Sequence, residues 1–513
     1  MTSWTSGYVA DIGYTHGFYR ELTPALLALV ALTRGQAAPA IDRPLQVCEL
    51  GCGQGFSMNL LAAANPHMQF HATDFAPSQI AGAQVLAGEA GLSNVTFYDT
   101  AFAEFAEEKA LPAAFDIIAL HGIYSWVSAE NRAAIVDFIK RKLKVGGLVY
   151  ISYNALPGWS SAAPMRHLMY LHGKSKGGPT IERVNSGIAF AKSIEQSNSM
   201  FFRMSPHLKD RLSKIESQNK NYLAHEYFND AWTSFYHSDV AADLAEAKLN
   251  FVGSTALLSS IDSINLTNEQ REILAGLSDP TLRETVKDFF FNQQFRRDVF
   301  VKGALPLSSR SMQAAWENQR FGLSTRRNDV PLKVDGLLGE GNLQRETYDP
   351  VLDALASGPK TVRDLISDPA VAALGWTRLI QVFSVLVGMG HLQPCLPARD
   401  EGKRAKSTKA LNQAIIARAK DGADLQFLAS PVTGGGVPVD RFRQLFLGSL
   451  WEGKKTPAEW AEAAWAIIAA QGQRLLKDGK TLESEAENKA ELTAQAESFA
   501  ESQLPVLRSL GIH

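Results

Sequence analysis

Three glycines at alternate positions follow an acidic residue early in the sequence. The run reads Val47-Cys48-Glu49-Leu50-Gly51-Cys52-Gly53-Gln54-Gly55. Because glycine has no Cβ, the three glycines allow a sharp turn and a close approach of the backbone to a bound molecule. A second apolar run ends in Asp74, about twenty residues further on, which is the spacing at which an acid reaches a ribose diol. The pattern predicts a loop that binds a ribose-containing cofactor.

The acid in front of the glycines indicates the kind of cofactor. Dinucleotide enzymes use Gly-x-Gly-x-x-Gly, and a pyrophosphate favours free amides at a helix N-terminus. Glu49 instead suits the ammonium and sulfonium charges of S-adenosylmethionine (SAM). The loop resembles the first motif of class I SAM-dependent methyltransferases, acid-x-Gly-x-Gly-x-Gly. An unoccupied turn between a strand and a helix is the alternative interpretation.

The resemblance implies a set of cofactor contacts. A segment before the first strand often covers the SAM pocket in this family, and here it is an aromatic arm that contains Tyr14. Packing of the arm's rings against the protein is an equally open interpretation. The predicted cofactor-binding residues are Tyr14, Glu49, Gly51, Gly53, Gly55, Asp74, Phe75, Asp99 and Ala101.

Length and composition limit the classes of protein. A chain of 513 residues exceeds one hydrophobic core, so we expect about three or four domains. The sequence has no apolar run of the roughly eighteen residues that cross a membrane and no secretory signal, so we expect a cytoplasmic protein without membrane contact. Three cysteines predict neither a disulfide framework nor a metal site. A formal charge of -2 gives no general attraction to nucleic acid.

Strand and helix patterns alternate after the aromatic arm, which predicts a doubly wound α/β sheet. Ligands bind such sheets beyond the carboxyl ends of the strands, so the residues that follow each strand matter most. The predicted strands are Leu45–Leu50, Gln69–Thr73, Val95–Tyr98, Phe115–Leu120 and Leu148–Tyr153.

Polar and aromatic residues follow the fourth and fifth predicted strands. Tyr124, Trp126 and Tyr153 are candidate walls of an acceptor pocket, and Asn154 and His121 are candidates to orient the acceptor. Methyl transfer to a lysine needs a neutral amine, and an aromatic pocket beside a sulfonium lowers the amine pKa by desolvation and like charge. His121 is also a candidate base for a hydroxyl acceptor. No metal is required.

The sheet needs two more strands, and a helical insertion precedes them. Residues 164–236 read as helical, and a sixth strand is predicted near Phe251 and a seventh at Asp298–Gly303, after a helical excursion that extends to Arg297. We predict a discontinuous SAM-binding core at 1–155 and 238–305. The insertion, a possible lid, covers 156–237.

A narrower resemblance covers roughly the first 300 residues. Three segments resemble the methyltransferase regulatory domain of bacterial enzymes that include rickettsial protein-lysine methyltransferases. They are Tyr222-Leu223-Ala224-His225-Glu226-Tyr227-Phe228, Phe251-Val252-Gly253-Ser254 and Asn292-Gln293-Gln294-Phe295-Arg296-Arg297-Asp298-Val299-Phe300. His225 and Glu226 suggest a buried pair that holds the lid.

The resemblance implies a SAM-dependent methyltransferase with a nitrogen or oxygen acceptor, and a protein lysine is the acceptor we expect. A small-molecule or sugar methyltransferase is one alternative. A non-catalytic SAM sensor or scaffold is another. The partner is therefore a protein or small-molecule methyl acceptor, without nucleic acid.

The C-terminal half is predicted to be mainly helical. Residues 306–400 show a winged-helix-like order of helices and a strand, but the helix that would read DNA is almost wholly apolar around Leu379–Val387. It suits packing against protein, so this half is a candidate surface for a protein partner. Asp400–Lys409 reads as a charged, solvated linker, and 401–513 as a helical domain with an N-terminal cap at Thr456.

Overall fold

A computed structural model describes residues 8, 9 and 12–513 of the chain. Its centre is a seven-stranded sheet. The strands are β1 (Gln46–Leu50), β2 (Gln69–Thr73), β3 (Val95–Tyr98), β4 (Phe115–Leu120), β5 (Leu143–Asn154), β6 (Leu249–Ser254) and β7 (Phe295–Lys302).

The strand order is β3-β2-β1-β4-β5-β7-β6. Strands β1 to β5 are parallel, and β7 is antiparallel to both β5 and β6. Leu50 pairs with Thr73 in register, so the glycine loop and Asp74 leave the sheet at the same edge. The Rossmann-like sheet predicted from the sequence is confirmed.

Helices cover both faces of the parallel strands. β1 and its neighbour β4 are buried on both sides, which explains their largely apolar sequences. A 3-10 turn at Arg20–Leu22 comes first. The helices are α1 (Pro24–Thr33), α2 (Phe56–Ala64), α3 (Pro77–Glu89), α4 (Phe102–Ala106) and α5 (Ala129–Lys142).

The insertion after β5 is helical, as predicted, and has its own hydrophobic cluster that includes Met165, Met169, Leu212 and Leu223. Its last two helices lie at the carboxyl edge of the sheet, where they line a cavity together with Asn154 from the end of β5. The helices of the insertion are α6 (Ala163–Lys176), α7 (Thr180–Gln196), α8 (Met200–Met204), α9 (His207–Ser217) and α10 (Lys220–Tyr227).

The chain then returns to the sheet through α11 (His237–Ala245) and β6. The excursion before β7 ends earlier than predicted, because Asn292 adopts a left-handed conformation directly after the last helix and Phe295–Arg297 already pair with β5. The excursion has a 3-10 turn at Leu257–Ser260 and the helices α12 (Asp262–Asn265), α13 (Asn268–Ala275) and α14 (Pro280–Phe291).

The C-terminal half is mainly helical. Its helices are α15 (Ser309–Asn318), α16 (Arg345–Leu355), α17 (Val362–Leu365), α18 (Pro369–Ala372), α19 (Gly375–Gly388), α20 (Glu401–Ala419), α21 (Arg441–Trp451), α22 (Pro457–Ala470), α23 (Glu485–Ser498) and α24 (Leu504–Ser509), with a 3-10 turn at Arg327–Asp329 and a π-helical stretch at Phe499–Gln503. Its short strands are β8 (Arg320–Leu323), β9 (Lys333–Gly336), β10 (Gly339–Asn342), β11 (Lys360–Thr361), β12 (Leu392–Cys395), β13 (Phe427–Ala429), β14 (Gly436–Pro438), β15 (Leu476–Lys477) and β16 (Lys480–Thr481).

The segment with the winged-helix-like pattern has α16, α17, α19 and a small antiparallel sheet of β11, β8 and β12. The apolar face of α19 is buried: Leu379, Val382 and Phe383 lie in the main hydrophobic cluster. This burial agrees with the expected packing role. The winged-helix assignment and the four predicted domain boundaries stay predictions.

The predicted charged linker is wrong. Residues 401–409 form the first half of α20, and the guanidinium of Arg404 is buried. It donates hydrogen bonds to the carbonyls of Pro397, Arg399 and Pro431. A buried cation with three backbone acceptors explains why a charge-rich segment is ordered.

The C-terminal half packs directly on the sheet domain. The Asn65 amide donates to the Gly434 carbonyl at 2.8 Å, and Arg418 on α20 pairs with Glu89 on α3 at 2.8 Å. The rings of Phe18 and Phe427 lie 5.5 Å apart. Within the described ranges, none of the helices has the length and apolarity needed to span a bilayer.

Candidate active site

The glycine loop turns tightly at the end of β1. Gly51 and Gly55 have φ angles of +78° and +62°, and a Cβ at Gly51 would lie 2.2 Å from Ile123 Cδ1. The amide of Gly53 donates to Asp74 Oδ2 at 2.9 Å, and the amide of Ala76 donates to Asp74 Oδ1 at 3.0 Å. Asp74 therefore holds the glycine loop in place, and it also lines the cavity beside the loop.

A cavity of about 1180 Å³, counted with its opening, lies against this loop. We call it the glycine-loop cavity. It brings together residues from the loop, from the ends of β2, β3 and β4, and from the N-terminal arm. Among its lining residues are the predicted Tyr14, Glu49, Gly51, Gly53, Asp74, Phe75, Ala101, His121 and Trp126.

Glu49 is the unusual group in the glycine-loop cavity. It is 3% exposed, and its Oε2 atom has no hydrogen-bond partner within the described protein. Burial, with the negative charge of Asp74 as a second cause, raises the pKa of Glu49 to about 8. A buried carboxyl oxygen without a partner fits a bound cation, because a positive charge compensates the cost of ionising it. The site therefore fits the positively charged SAM predicted from the sequence.

A second cavity, of about 1720 Å³ with its opening, lies between the sheet edge and the insertion. We call it the aromatic cavity. Six residues line both cavities, so the two are continuous: Tyr8, Tyr14, Tyr19, His121, Gly122 and Trp126. The remaining walls are Asn154, Trp159, His207, Asp210, Arg211, Lys214, Ile215, Gln218, Tyr222, His225, Glu226, Tyr227, Gln294 and Phe295.

The passage between the cavities is walled by stacked rings. The Tyr19 ring stacks on His121 with centroids 3.7 Å apart, and Tyr14 meets His225 edge to face at 5.1 Å. His121 Nδ1 lies 2.8 Å from the hydroxyl of Tyr150. Burial lowers the pKa of His121 to about 4, so the imidazole is neutral at physiological pH. It adds no positive charge to the passage.

Glu226 is one of two acidic residues that line the aromatic cavity, and Asp210 is the other. Burial raises the pKa of Glu226 to about 7, and Arg211, Asn154 and Arg166 act in the opposite direction. Trp126 lies beside it and donates its Nε1 hydrogen to the Glu226 backbone carbonyl at 3.3 Å. The Glu226 carboxyl thus titrates near neutral pH in a pocket of aromatic rings.

Asn154 reaches the aromatic cavity from the end of β5. Its Oδ1 accepts a hydrogen bond from Trp159 Nε1 at 3.1 Å, and its backbone amide donates to Ser125 Oγ at 2.8 Å. These bonds fix the side chain at a wall of the cavity. The predicted orienting role of Asn154 stays a prediction.

The structure does not place Tyr124 and Tyr153 in the predicted acceptor pocket. Both are fully buried in a hydrophobic cluster of the sheet domain and line neither cavity. Tyr124 donates to Asp243 Oδ2 at 2.6 Å, and Tyr153 to Asp298 Oδ2 at 2.8 Å. Their hydroxyls have partners in the core, which explains how polar aromatic residues are buried there.

Two predicted cofactor contacts also lie outside the cavities. Gly55 is the N-cap of α2 and packs so closely that a Cβ would lie 2.5 Å from Ala83 Cβ, so the turn requires a residue without a side chain. Asp99 is exposed, whereas Thr100, Ala101 and Phe102, which follow it, line the glycine-loop cavity.

Sequence reasoning missed Glu226 as a site residue and assigned it to a structural pair with His225. His225 Nε2 lies 3.1 Å from the Ile12 carbonyl, so it contacts the N-terminal arm. The available signal was an acid among aromatic residues in a recognised motif. The position of Glu226 at the cavity depends on how the insertion packs against the edge of the sheet, which the local sequence does not show.

Comparisons with known proteins agree with this geometry. A family model described as a methyltransferase domain matches residues 41–223, and one described as a predicted methyltransferase regulatory domain matches 219–302. An uncharacterized protein of Synechocystis is 42% identical over 99% of this chain and 100% of its own length. An uncharacterized protein of Rickettsia prowazekii is 26% identical over 59% of this chain and 55% of its own.

The solved structure of PKMT2 from Rickettsia typhi in complex with AdoHcy has a TM-score of 0.70 to this chain. It shares 18% identity and covers 97% of this chain and 100% of its own length. The fold is therefore shared over nearly the whole chain.

The fold and the site define a class I methyltransferase. The chain belongs to the SAM-dependent methyltransferases that carry a methyltransferase regulatory domain. It is an enzyme that uses SAM, and the non-catalytic alternative is set aside.

Proposed function

We propose that the enzyme methylates an amine, and specifically the side chain of a lysine in a protein. The observation that carries the proposal is the Glu226 carboxyl, which lies in an aromatic cavity continuous with the glycine-loop cavity. A carboxylate among tyrosine and tryptophan rings attracts an ammonium group by charge and by cation–π interaction. We further propose that the glycine-loop cavity holds SAM, with Glu49 facing its positive charge.

The neutral state of His121 supports an amine over a hydroxyl acceptor. A hydroxyl acceptor needs an effective base, and a histidine with a pKa of about 4 is a weak one at neutral pH. The same neutral imidazole does not repel an ammonium. A sugar or alcohol acceptor would therefore have to give its proton to Glu226 rather than to His121.

Two features support a protein substrate over a free metabolite. Helix α9 contributes Asp210, Arg211 and Lys214 to the lining of the aromatic cavity, and Asp210 and Lys214 are exposed at the protein surface. The sequence motifs resemble those of rickettsial protein-lysine methyltransferases, and the fold is shared with PKMT2 of Rickettsia typhi. We propose a cytoplasmic location, which the three free cysteines support.

The residues of the chain account for the proton in this reaction. SAM, when bound, supplies an electrophilic methyl group. The ionised Glu226 carboxylate draws the lysine ammonium into the cavity, and its oxygen accepts the proton that the amine must lose. The nitrogen lone pair is then free to form the new bond to the methyl carbon, whose bond to the SAM sulfur would break with its electron pair going to sulfur. Trp126, Tyr14 and Tyr19 exclude water around the amine and thereby lower its pKa.

The test is a Glu226→Gln variant assayed with labelled SAM, with protein and metabolite fractions counted separately. Removing the proton acceptor should lower kcat/KM by about 10²- to 10⁴-fold, while SAM affinity stays unchanged. Glu216→Gln is the matched control, because Glu216 lies in the same insertion but pairs with Lys192 at 2.7 Å, outside the residues that line the cavities.

The wild-type enzyme should transfer label to the protein fraction, with kcat/KM rising through pH 7 as Glu226 ionises, since its pKa is about 7. The Gln variant should lack this rise. Full activity of Glu226→Gln would show that the carboxyl is not the proton acceptor. Label confined to metabolites would replace the protein acceptor with a small molecule.

A further inference from the structure

The aromatic cavity is lined by charged residues of both signs. Glu226 lies at the end that meets the glycine-loop cavity, beside Trp126, which lines both cavities. Helix α9 lines the outer part of the aromatic cavity and contributes Arg211 and Lys214. One further charged residue of α9, Asp210, also lines it. Together these three side chains give the outer rim a net charge of one positive.

Neither of the two rim cations, Arg211 and Lys214, is held in an ion pair by the described residues. Arg211 contacts neutral groups: its guanidinium lies over Trp159 at 4.1 Å and its Nη1 atom donates to Gln294 Oε1 at 3.2 Å. In the described parts of the chain neither Arg211 nor Lys214 forms an ion pair. The positive charge of Arg211 lowers the pKa of Glu226, although the two side chains do not form a salt bridge.

Other charges on α9 are paired. Lys209 lies on the same helix but does not line the cavity, and it pairs with Glu195 at 3.1 Å. Glu216, which does not line the cavity either, pairs with Lys192 at 2.7 Å. The unpaired cations are thus confined to the side of α9 that faces the cavity. A cation left unpaired at the mouth of a cavity favours an anionic ligand group there.

We propose that the rim binds a carboxylate that the acceptor carries on the outer side of its amine. The source is an acidic side chain beside the target lysine of a protein, or the α-carboxylate of a free amino acid. A singly charged group fits better than a phosphate dianion, because Asp210 repels the second negative charge. This inference rests on the proposed amine acceptor.

The experiment compares acceptors that differ only in this carboxylate. One pair is a peptide with a single lysine flanked by glutamates and the same peptide with glutamines. The other pair is free lysine and lysinamide, which lacks the α-carboxylate. Each is assayed for kcat/KM with the wild-type enzyme, with Lys214→Gln, and with Lys209→Gln as the matched control on the same helix.

A wild-type preference of about three- to tenfold for one carboxylate-bearing acceptor over its neutral partner is expected, as is typical of a partly exposed ion pair. The preference should shrink toward one in Lys214→Gln and persist in Lys209→Gln. The favoured pair identifies the source of the carboxylate. The wild-type preference should also weaken as salt is added.

Three results overturn the inference, and the third is distinguishable from the first two. The enzyme could methylate both members of each pair at equal rates, or Lys214→Gln could show the same preference as the wild type. Either result refutes carboxylate binding at the rim but does not contradict an amine acceptor. Absence of methylation on every one of these amines, with active transfer to another acceptor class, refutes the amine acceptor and the rim together.

Discussion

The hydroxyl of Tyr153 donates a hydrogen bond to Asp298 Oδ2 at 2.8 Å, and both side chains are fully buried. The same oxygen accepts a hydrogen bond from Arg296 Nε at 2.7 Å, and His237 Nδ1 lies 3.2 Å from it. Successive side chains of a strand point to opposite faces of the sheet. Because Asn154, the next residue, lines the aromatic cavity, Tyr153 points away from it.

Tyr153→Phe should therefore affect stability rather than turnover. The variant keeps the ring but removes a buried hydrogen bond to a charged group, so the free energy of unfolding should fall by about 1 to 3 kcal/mol. SAM affinity and kcat should change by less than about twofold, since the hydroxyl lies outside both cavities. Denaturant unfolding and a methylation assay check the two expectations. A large fall in kcat at unchanged stability would place the hydroxyl in the site after all.

The alternation along β5 explains which part of the site the sequence could predict. A strand ending in Tyr153 and Asn154 marks the edge where ligands bind, and the sequence identified that edge correctly. Tyr153 and Asn154 cannot both face the ligand, and which of them does depends on how the strand is placed in the sheet. The position of Glu226 was more difficult to predict. It depends on the packing of α10 against the end of β5, which lies about seventy residues earlier in the sequence.

The centre of the sheet was predictable because β1, β4 and most of β5 are buried on both faces and have largely apolar sequences. β2, β3 and β4 have the predicted bounds. The start of α20 was not predictable in this way. Its charged residues suggested solvent, but Arg404 is held by three backbone carbonyls that come from residues before and after it in the chain. Local composition contains no signal for such a contact.

Asp74→Ala should weaken SAM binding by more than the loss of a ribose contact. The Asp74 carboxylate accepts hydrogen bonds from the amides of Gly53 and Ala76, so its removal also loosens the glycine loop. A charge-assisted hydrogen bond contributes about 1.5 to 3 kcal/mol, so the Kd for SAM should rise at least tenfold in calorimetry. Asp99→Ala is the control, because Asp99 is exposed and lines neither cavity. Equal Kd values for the two variants would remove Asp74 from the cofactor site.

Phe18→Ala should lower SAM affinity from a distance. Phe18 belongs to the N-terminal arm, is 8% exposed, and packs against Phe427 of the C-terminal half. Loss of this anchor should free the neighbouring Tyr19, which lines both cavities, and the Kd for SAM should rise about tenfold, which corresponds to 1.4 kcal/mol. Phe289→Ala, at a phenylalanine that is 56% exposed, is the control. An unchanged Kd in a folded Phe18→Ala protein would show that the arm needs no support from the C-terminal half.

Binding of SAM should release protons at neutral pH. The pKa of Glu49 is about 8 in the ligand-free protein, so most molecules hold this carboxyl protonated at pH 7. A bound cation favours the ionised form, and the proton then leaves to solvent. Calorimetry at pH 7 in buffers of different ionisation enthalpy measures the number of protons released. We expect a fraction approaching one for the wild type and a lower value for Glu49→Gln, in which any titration of the ligand itself remains.

The same carboxyl should make stability depend on pH in the ligand-free enzyme. Its pKa rises from 4.5 to about 8 on folding, so the folded state binds this proton more tightly than the unfolded state does. The stabilisation is complete below pH 4.5 and is lost as the pH rises through 8. Between pH 5 and 9 the melting temperature of the wild type should therefore fall more than that of Glu49→Gln, and saturating SAM should reduce the difference in slope. Parallel melting curves for the two proteins across this range would show that Glu49 is already ionised before the cofactor binds.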